Sequence, residues 1–267
     1  HLNIGTAKPT TDELAAVPHH LINILEPDDD YSVSIFQQQA KSLINQLNDN
    51  HVVPILSGGT GLYVQSLLEN YNFNDIKPNT KLRNELDELY TEYGVNGLRE
   101  YARNLAEKGG IEIKYTDKHR LYRAIELMTA GDYKSLIKQT KEGLSYKGPV
   151  IGLQRERSDL YNRINRRVEI MFEKGLVDEV KQLLKNGVNP NCQAFKGIGY
   201  KEVVQYLEGL ISYDACVDLI QKNTRHFAKR QITWYKRMPY IEWITIDSQT
   251  TEAEIYGMAC NIIDSSF

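Results

Sequence analysis

Lys222 to Arg237 reads KNTRHFAKRQITWYKR, six basic residues with no acidic one among them. On a helix, Lys222, Arg225, Lys229 and Lys236 fall along one stripe, while Phe227 and Trp234, seven apart, turn toward a core. Like charges three and four residues apart repel along a helix, so the run is either a solvated face or a face neutralised by an anion. A polyphosphate or a nucleic-acid backbone is such an anion. A second cluster is Arg163-Ile164-Asn165-Arg166-Arg167. Arg163 and Arg167 share a face, and two guanidinium forks could grip one phosphate-rich group unless Asp159 and Glu169 claim them first. In a third, His119-Arg120-Leu121-Tyr122-Arg123, the two arginines are three apart with Tyr122 nearby; surface ion pairs compete for them.

The stretch His51 to Leu68, HVVPILSGGTGLYVQSLL, reads as strand, tight turn and helix. Its three glycines permit close backbone approach, and amides at a helix N-terminus attract anions. It has no lysine in the place a phosphate loop requires, and neither G-x-x-x-x-G-K-[ST] nor G-x-G-x-x-G occurs in the chain. The six histidines show no metal-ligand spacing, and no Ser/His/Asp set can be assembled. Asp28-Asp29-Asp30 reads as a solvated turn. Cys192, Cys216 and Cys260 are far apart, which argues against zinc or a disulfide framework and fits a reducing cytoplasm.

These groups need elements to position them. The 267 residues suffice for one large domain or two smaller ones. The composition, 41% hydrophobic and 25% charged, is that of a soluble globular protein, and no apolar run approaches the ~20 residues of a membrane span. A net charge of −3 would discourage a nucleic-acid partner were the basic residues not clustered. Thr11-Asp12-Glu13 begins a helix, and a second is expected from about Ile35 to Asn48. Val52 to Leu56 is expected as a strand before the glycine turn and its helix. The pattern from Thr80 to Lys108 is helical, and Thr116-Asp117 announces another helix. Gly131 to Gly148 carries little signal. Val150 to Leu153 returns as a strand, Ser158 is expected to cap a helix ending at Gly175, and a further helix runs from about Val177 to Lys185. After a glycine-marked turn, Phe195 to Lys201, a long helix is expected from Tyr213 toward Met238. Ile241 to Ile246 is a last strand, and Thr251 with Glu254 a capping box. Such alternation predicts an α/β fold with a parallel sheet, here divided by a mostly helical insertion.

Taken in order, several stretches resemble the tRNA dimethylallyltransferase (tRNA isopentenyltransferase) family. They are NIGTAKPT (Asn3 to Thr10), VPHHLINILEP (Val17 to Pro27), YSVSIFQ (Tyr31 to Gln37), PILSGGTGLYVQSLL (Pro54 to Leu68) and DKHRLYRAIEL (Asp117 to Leu127), followed by IGL with LYNRINRRVEIM (Ile151 to Met171), GIGYKE (Gly197 to Glu202) and TRHFAKRQITWYKR (Thr224 to Arg237). Members begin with a strand, a Walker-type phosphate loop and a segment carrying an aspartate general base. The resemblance therefore implies that roughly 40 residues, the size of a βα unit with its connection, precede His1.

The resemblance further implies a P-loop NTPase-like core, residues 1–70 and 149–267, with a tRNA-contacting helical insertion at 71–148. The implied reaction moves a dimethylallyl group from dimethylallyl pyrophosphate to the exocyclic amino group of the adenosine 3′-adjacent to the anticodon of tRNA, with Mg²⁺, in a cytoplasmic monomer. Thr60 and Arg167 would be catalytic, Arg163 and Arg167 would bind pyrophosphate, and Gly58 to Gly61 would wall the site. The anticodon stem-loop would be held by Thr60, Arg83, His119, Arg120, Arg123, Lys196, Gly197, Gly199, Tyr200, Lys201, Arg225, Lys229, Arg230 and Gln231, with Tyr122 and Tyr200 as stacking rings. An adenylate prenyltransferase acting on free nucleotide, a P-loop phosphotransferase and a non-catalytic RNA-binding module are the alternatives.

Overall fold

The computed structural model describes residues 1–73, 76, 79–136 and 144–267. The described chain is mixed α/β: a small parallel sheet with many helices. It divides into two compact units, His1–Val64 with Tyr146–Phe267, and Gln65–Ser145. Gln65 to Asn70, which the sequence places with the core, fall in the second unit. The division lies inside a helix, and within the second unit the Ser145 amide closes back on Leu68 O at 2.8 Å.

In the first unit, α1 (Thr11–Ala16) starts at a capping box formed by Thr10 and Glu13. Ser32 caps α2 (Val33–Asp49), and α3 (Gly61–Leu68) follows the glycine turn. Between α2 and α3 the expected strand does not form. Val53 and Ile55 are 83% and 90% exposed, and Val52 to Thr60 carry no ladder. A β-prone run becomes a strand only when a neighbour completes its hydrogen bonds and covers its side chains. The two strands that do pair are β1 (Val150–Arg155) and β2 (Ile241–Ile246), parallel and in register from Val150↔Ile241 to Arg155↔Ile246.

The remaining helices of this unit are α6 (Arg157–Glu173), α7 (Leu176–Lys185), α8 (Tyr200–Leu207), α9 (Tyr213–Tyr235) and α10 (Glu252–Ser266). Glu156, rather than Ser158, caps α6: its carboxylate accepts the Ser158 amide at 2.7 Å and the Asp159 amide at 3.2 Å. A carboxylate also suits the positive end of a helix better than a hydroxyl does. Gly175, at φ +89°, turns the chain between α6 and α7. The core here is Val168, Leu176, Val180, Phe195, Tyr200, Val203, Cys216 and Ile220, contributed by α6 to α9 and, for Phe195, by the 3₁₀ turn Ala194–Lys196 before α8.

The second unit is built on α4 (Thr80–Lys108) and α5 (Lys118–Thr129). Gly94 interrupts α4 with φ +63° and ψ −156°, so its halves are two helices across a sharp bend. Leu82, Leu86, Leu98 and Ala102 close on Leu121, Ala124, Ile125 and Met128. Beyond α5, Lys134–Leu136 make a single 3₁₀ turn, and 137–143, the centre of the low-signal stretch, lie outside the described residues.

Candidate active site

The glycine turn is fastened to the basic helix by two side chains of α9. Gln231 Nε2 donates to Gly59 O at 2.8 Å, and a Cβ on Gly59 would stand 2.1 Å from that nitrogen. A Cβ on Gly61 would meet the Trp234 ring at 2.4 Å. The Trp234 ring leaves no room for a side chain at Gly61; at Gly59 an added carbon would push aside the end of the Gln231 side chain and its hydrogen bond, and Gly58 has open space around it. Between them Thr60 is exposed, and its carbonyl accepts the amides of Tyr63 and Val64 that open α3. The indole N–H of Trp234 is buried without a hydrogen-bond partner among the described residues.

Along the open face of α9, His226, Lys229, Arg230, Thr233, Trp234 and Arg237 line a shallow cavity of about 530 Å³. This face differs from the expected stripe of Lys222, Arg225, Lys229 and Lys236. Arg225 turns inward, its guanidinium 2.5 Å from Asn165 Oδ1 on α6. Phe227 also departs from expectation: it is 41% exposed rather than in the core, with the Arg230 guanidinium 5.9 Å from its ring centroid. Among the described residues no basic side chain of this face forms an ion pair, so its charge stays available to an anion.

On α6 the competition for carboxylates is resolved residue by residue. Arg155 takes Asp159 at 2.8 Å, and Arg166 takes Glu169 at 3.0 Å and Glu173 at 3.5 Å. Arg163 and Arg167 are exposed on the same helix with both nearby acids already claimed.

The glycine-marked turn before α8 is held from beneath. The buried Glu202 accepts the Gly199 amide at 2.8 Å and Asn223 Nδ2 at 2.8 Å, with Gly199 at φ +101°. Lys196, Gly197 and Lys201 are exposed, but Tyr200 is not. Its ring is 2% accessible and stacks on Phe195 with centroids 5.9 Å apart, and its hydroxyl donates to Glu179 Oε1 at 2.6 Å. Burial, then the Glu179 hydrogen bond, raises its pKa far above that of a free phenol. A ring so enclosed cannot stack on a base, so the sequence-based expectation for Tyr200 is corrected.

In the second unit Tyr122 is likewise buried, its hydroxyl 2.9 Å from Asp87 Oδ1. Lys118 joins the same carboxylate at 2.7 Å and lies 4.4 Å from the Tyr90 ring centroid. Arg83 and Arg123 converge on the buried Glu126, at 2.7 Å and 3.3 Å, and the Asn79 amide joins them at 3.1 Å. Arg123 also donates to Ile76 O at 2.8 Å. Both arginines therefore have structural partners, while His119 and Arg120 are exposed on the same helix, Arg120 3.4 Å from Asp117. The carboxylates Glu179, Glu202 and Glu126 carry this architecture and escaped the sequence reading. Only Glu202, three residues into α8 after a glycine turn, left a local signal.

The IPP transferase family model matches residues 1–238, which takes in the second unit and the first as far as the end of α9 and the turn after it. The chain belongs to the IPP transferase family. A tRNA dimethylallyltransferase of Alkaliphilus metalliredigens is 38% identical over 98% of this chain and 85% of its own length. The crystal structure of a tRNA isopentenylpyrophosphate transferase from Bacillus halodurans aligns with 99% of this chain and 84% of its own, with 35% identity and a TM-score of 0.70. A eukaryotic dimethylallyltransferase described as acting on tRNA shares the fold, with a TM-score of 0.79 over the whole chain and 71% of its own at 20% identity. As a member of the IPP transferase family the protein is a prenyltransferase of the tRNA dimethylallyltransferase type. No described helix is long and apolar enough to cross a membrane.

Proposed function

We propose that this protein transfers the dimethylallyl group of dimethylallyl pyrophosphate to the exocyclic amino nitrogen of the adenosine 3′-adjacent to the anticodon in tRNA, on a P-loop-type core. The allylic C–O bond breaks with its electron pair leaving on pyrophosphate. A C–N bond forms, and the amino nitrogen gives up a proton to a carboxylate base. The observation that carries the reading is the SGGTG turn, pinned by Gln231 and Trp234 against an unneutralised basic helix face.

Arg163 and Arg167 take the negative charge that develops on pyrophosphate, where a preformed cation is worth most. An adenine must leave its stack before its amino group can react, and Thr60 would stand beside it. Lys229, Arg230, Arg225, Lys196, Lys201, His119 and Arg120 hold the backbone of the anticodon stem-loop, with Phe227 and Arg230 as a base platform. In the first unit Gly197, Gly199 and Gln231 shape the surface and Tyr200 holds the turn through Glu179; in the second, Arg83 and Arg123 brace α5 through Glu126. Mg²⁺ bound with the pyrophosphate would share its developing charge with Arg163 and Arg167. We take the acting unit to be a monomer in the cytoplasm. The length of the α9 track favours a polynucleotide over a free nucleotide.

The test is mass spectrometry of anticodon-loop nucleosides after incubation with unmodified tRNA and dimethylallyl pyrophosphate. One adenosine per tRNA should gain the mass of one prenyl group, and no gain would defeat the proposal. Prenylation of AMP in preference to tRNA would replace it with the free-nucleotide reading.

A further inference from the structure

Asn3 to Lys8 form a turn tied down on several sides. The Glu179 carboxylate accepts the amides of Asn3 and Ile4, both at 3.0 Å, and Tyr200 donates to the same carboxylate. Gly5 lies flat on the Tyr200 ring, where a Cβ would be 2.5 Å from the nearest carbon. The turn closes with Ala7 N bonded to Ile4 O and Lys8 N to Asn3 O, both at 3.0 Å.

The backbone around this turn is held in conformations that L-residues resist. Ala7 has φ +48°, and on the facing segment Leu21 and Asn23 have φ +59° and +55°. Left-handed alanine and leucine are uncommon, and such departures gather where a ligand is gripped. Both segments converge on the ammonium of Lys8, which donates to Asn3 Oδ1 at 2.7 Å and to Asn23 Oδ1. Those partners are neutral amide oxygens. They orient the group without cancelling its charge, and among the described residues no carboxylate forms an ion pair with it. An ammonium has three N–H bonds, so one direction is left beyond the two amides.

We propose that Lys8 is a phosphate-binding residue, its ammonium pre-oriented by Asn3 and Asn23 to donate to a non-bridging phosphate oxygen. This rests on the reaction proposed above, which offers two sources of that oxygen: the pyrophosphate of the donor and the backbone of the RNA. Glu179 and Tyr200 then act as positioning residues, seating the turn that carries it.

The test measures binding rather than turnover, with inorganic pyrophosphate and an anticodon stem-loop RNA as separate probes of the full chain. Lys8→Met should weaken pyrophosphate binding by about tenfold, the worth of one charge-assisted hydrogen bond, with the melting temperature unchanged. Lys8→Arg, which keeps the charge, should recover most of that affinity. Should RNA affinity fall instead, with the slope of log K against log salt flattening by about 0.7, the oxygen belongs to the RNA and the assignment of Lys8 stands. Two outcomes overturn it: both affinities unchanged in Lys8→Met, or Lys8→Arg as damaging as Lys8→Met together with a lowered melting temperature, which would make Lys8 a staple between the two segments. If the wild-type chain binds pyrophosphate but never prenylates tRNA, the proposed reaction fails while the Lys8 result remains readable.

Discussion

Arg163, Arg166 and Arg167 are chemically alike and adjacent, yet the helix sorts them. Arg166 is consumed by Glu169 and Glu173, and Asp159 by Arg155, which leaves Arg163 and Arg167 to meet a substrate anion. Arg167→Ala should raise the KM for dimethylallyl pyrophosphate by about tenfold, while Arg166→Ala should leave it unchanged. Steady-state kinetics on the two variants checks the distinction. Gly61 is determined as sharply. A methyl group there would enter the Trp234 ring, so Gly61→Ala should cost about 1–3 kcal/mol in chemical denaturation and displace Thr60. Gly58→Ala, with nothing within 4 Å of the added carbon, should be nearly silent. Tyr122 and Tyr200 teach the converse: an aromatic beside a basic residue in sequence is no platform when its ring is core and its hydroxyl is spent on Asp87 or Glu179.

At the scale of elements, α4 and α5 are joined by more than their leucines. Glu126 is buried, which favours its neutral form, but the hydrogen bonds from Arg83, the Asn79 amide and Arg123 outweigh that and hold its pKa below the usual value of 4.5. A depressed pKa contributes stability that is present above 4.5 and lost as pH falls through the folded-state value. Thermal melts should therefore show this unit weakening on acidification below that point. Glu126→Gln should remove part of that acid sensitivity and cost about 2 kcal/mol at neutral pH, because two guanidinium groups lose their anion. Asp87, depressed chiefly by its hydrogen bond to Lys118, contributes in the same direction and keeps some acid sensitivity in the variant. α9 and the Val52 to Leu56 run show how far an element depends on its surroundings. The heptad-like spacing of Phe227 and Trp234 is real, but α6 claims the Arg225 side and leaves Phe227 to solvent.

For the whole molecule, the uncancelled cations of α9 matter more than the net charge. If Lys229 and Arg230 each neutralise one phosphate, the double variant Lys229→Ala/Arg230→Ala should flatten the dependence of log K for tRNA on log salt by about 1.4 and leave the KM for the prenyl donor unaltered. Binding titrations at several ionic strengths would check it, and Lys236→Ala, off the open face, serves as the control. Most helices, both paired strands and their order were legible in the sequence, because caps, periodicity and glycine stops are local signals. α8 was missed: its eight residues are too few for a periodic pattern to stand out behind the glycine turn. The family, and with it the reaction class, was legible in the ordered motifs from NIGTAKPT to TRHFAKRQITWYKR. The tertiary structure alone decided which member of each basic pair is free, which tyrosines are buried, and which glycines are compulsory. The buried tyrosines and the compulsory glycine turn on partners far away in the chain, such as Glu179 for Tyr200 or Trp234 for Gly61, and spacing along the chain does not reveal a carboxylate or a ring brought in from elsewhere; the acids that sort the arginines of α6 are local, but spacing offers each of them more than one arginine.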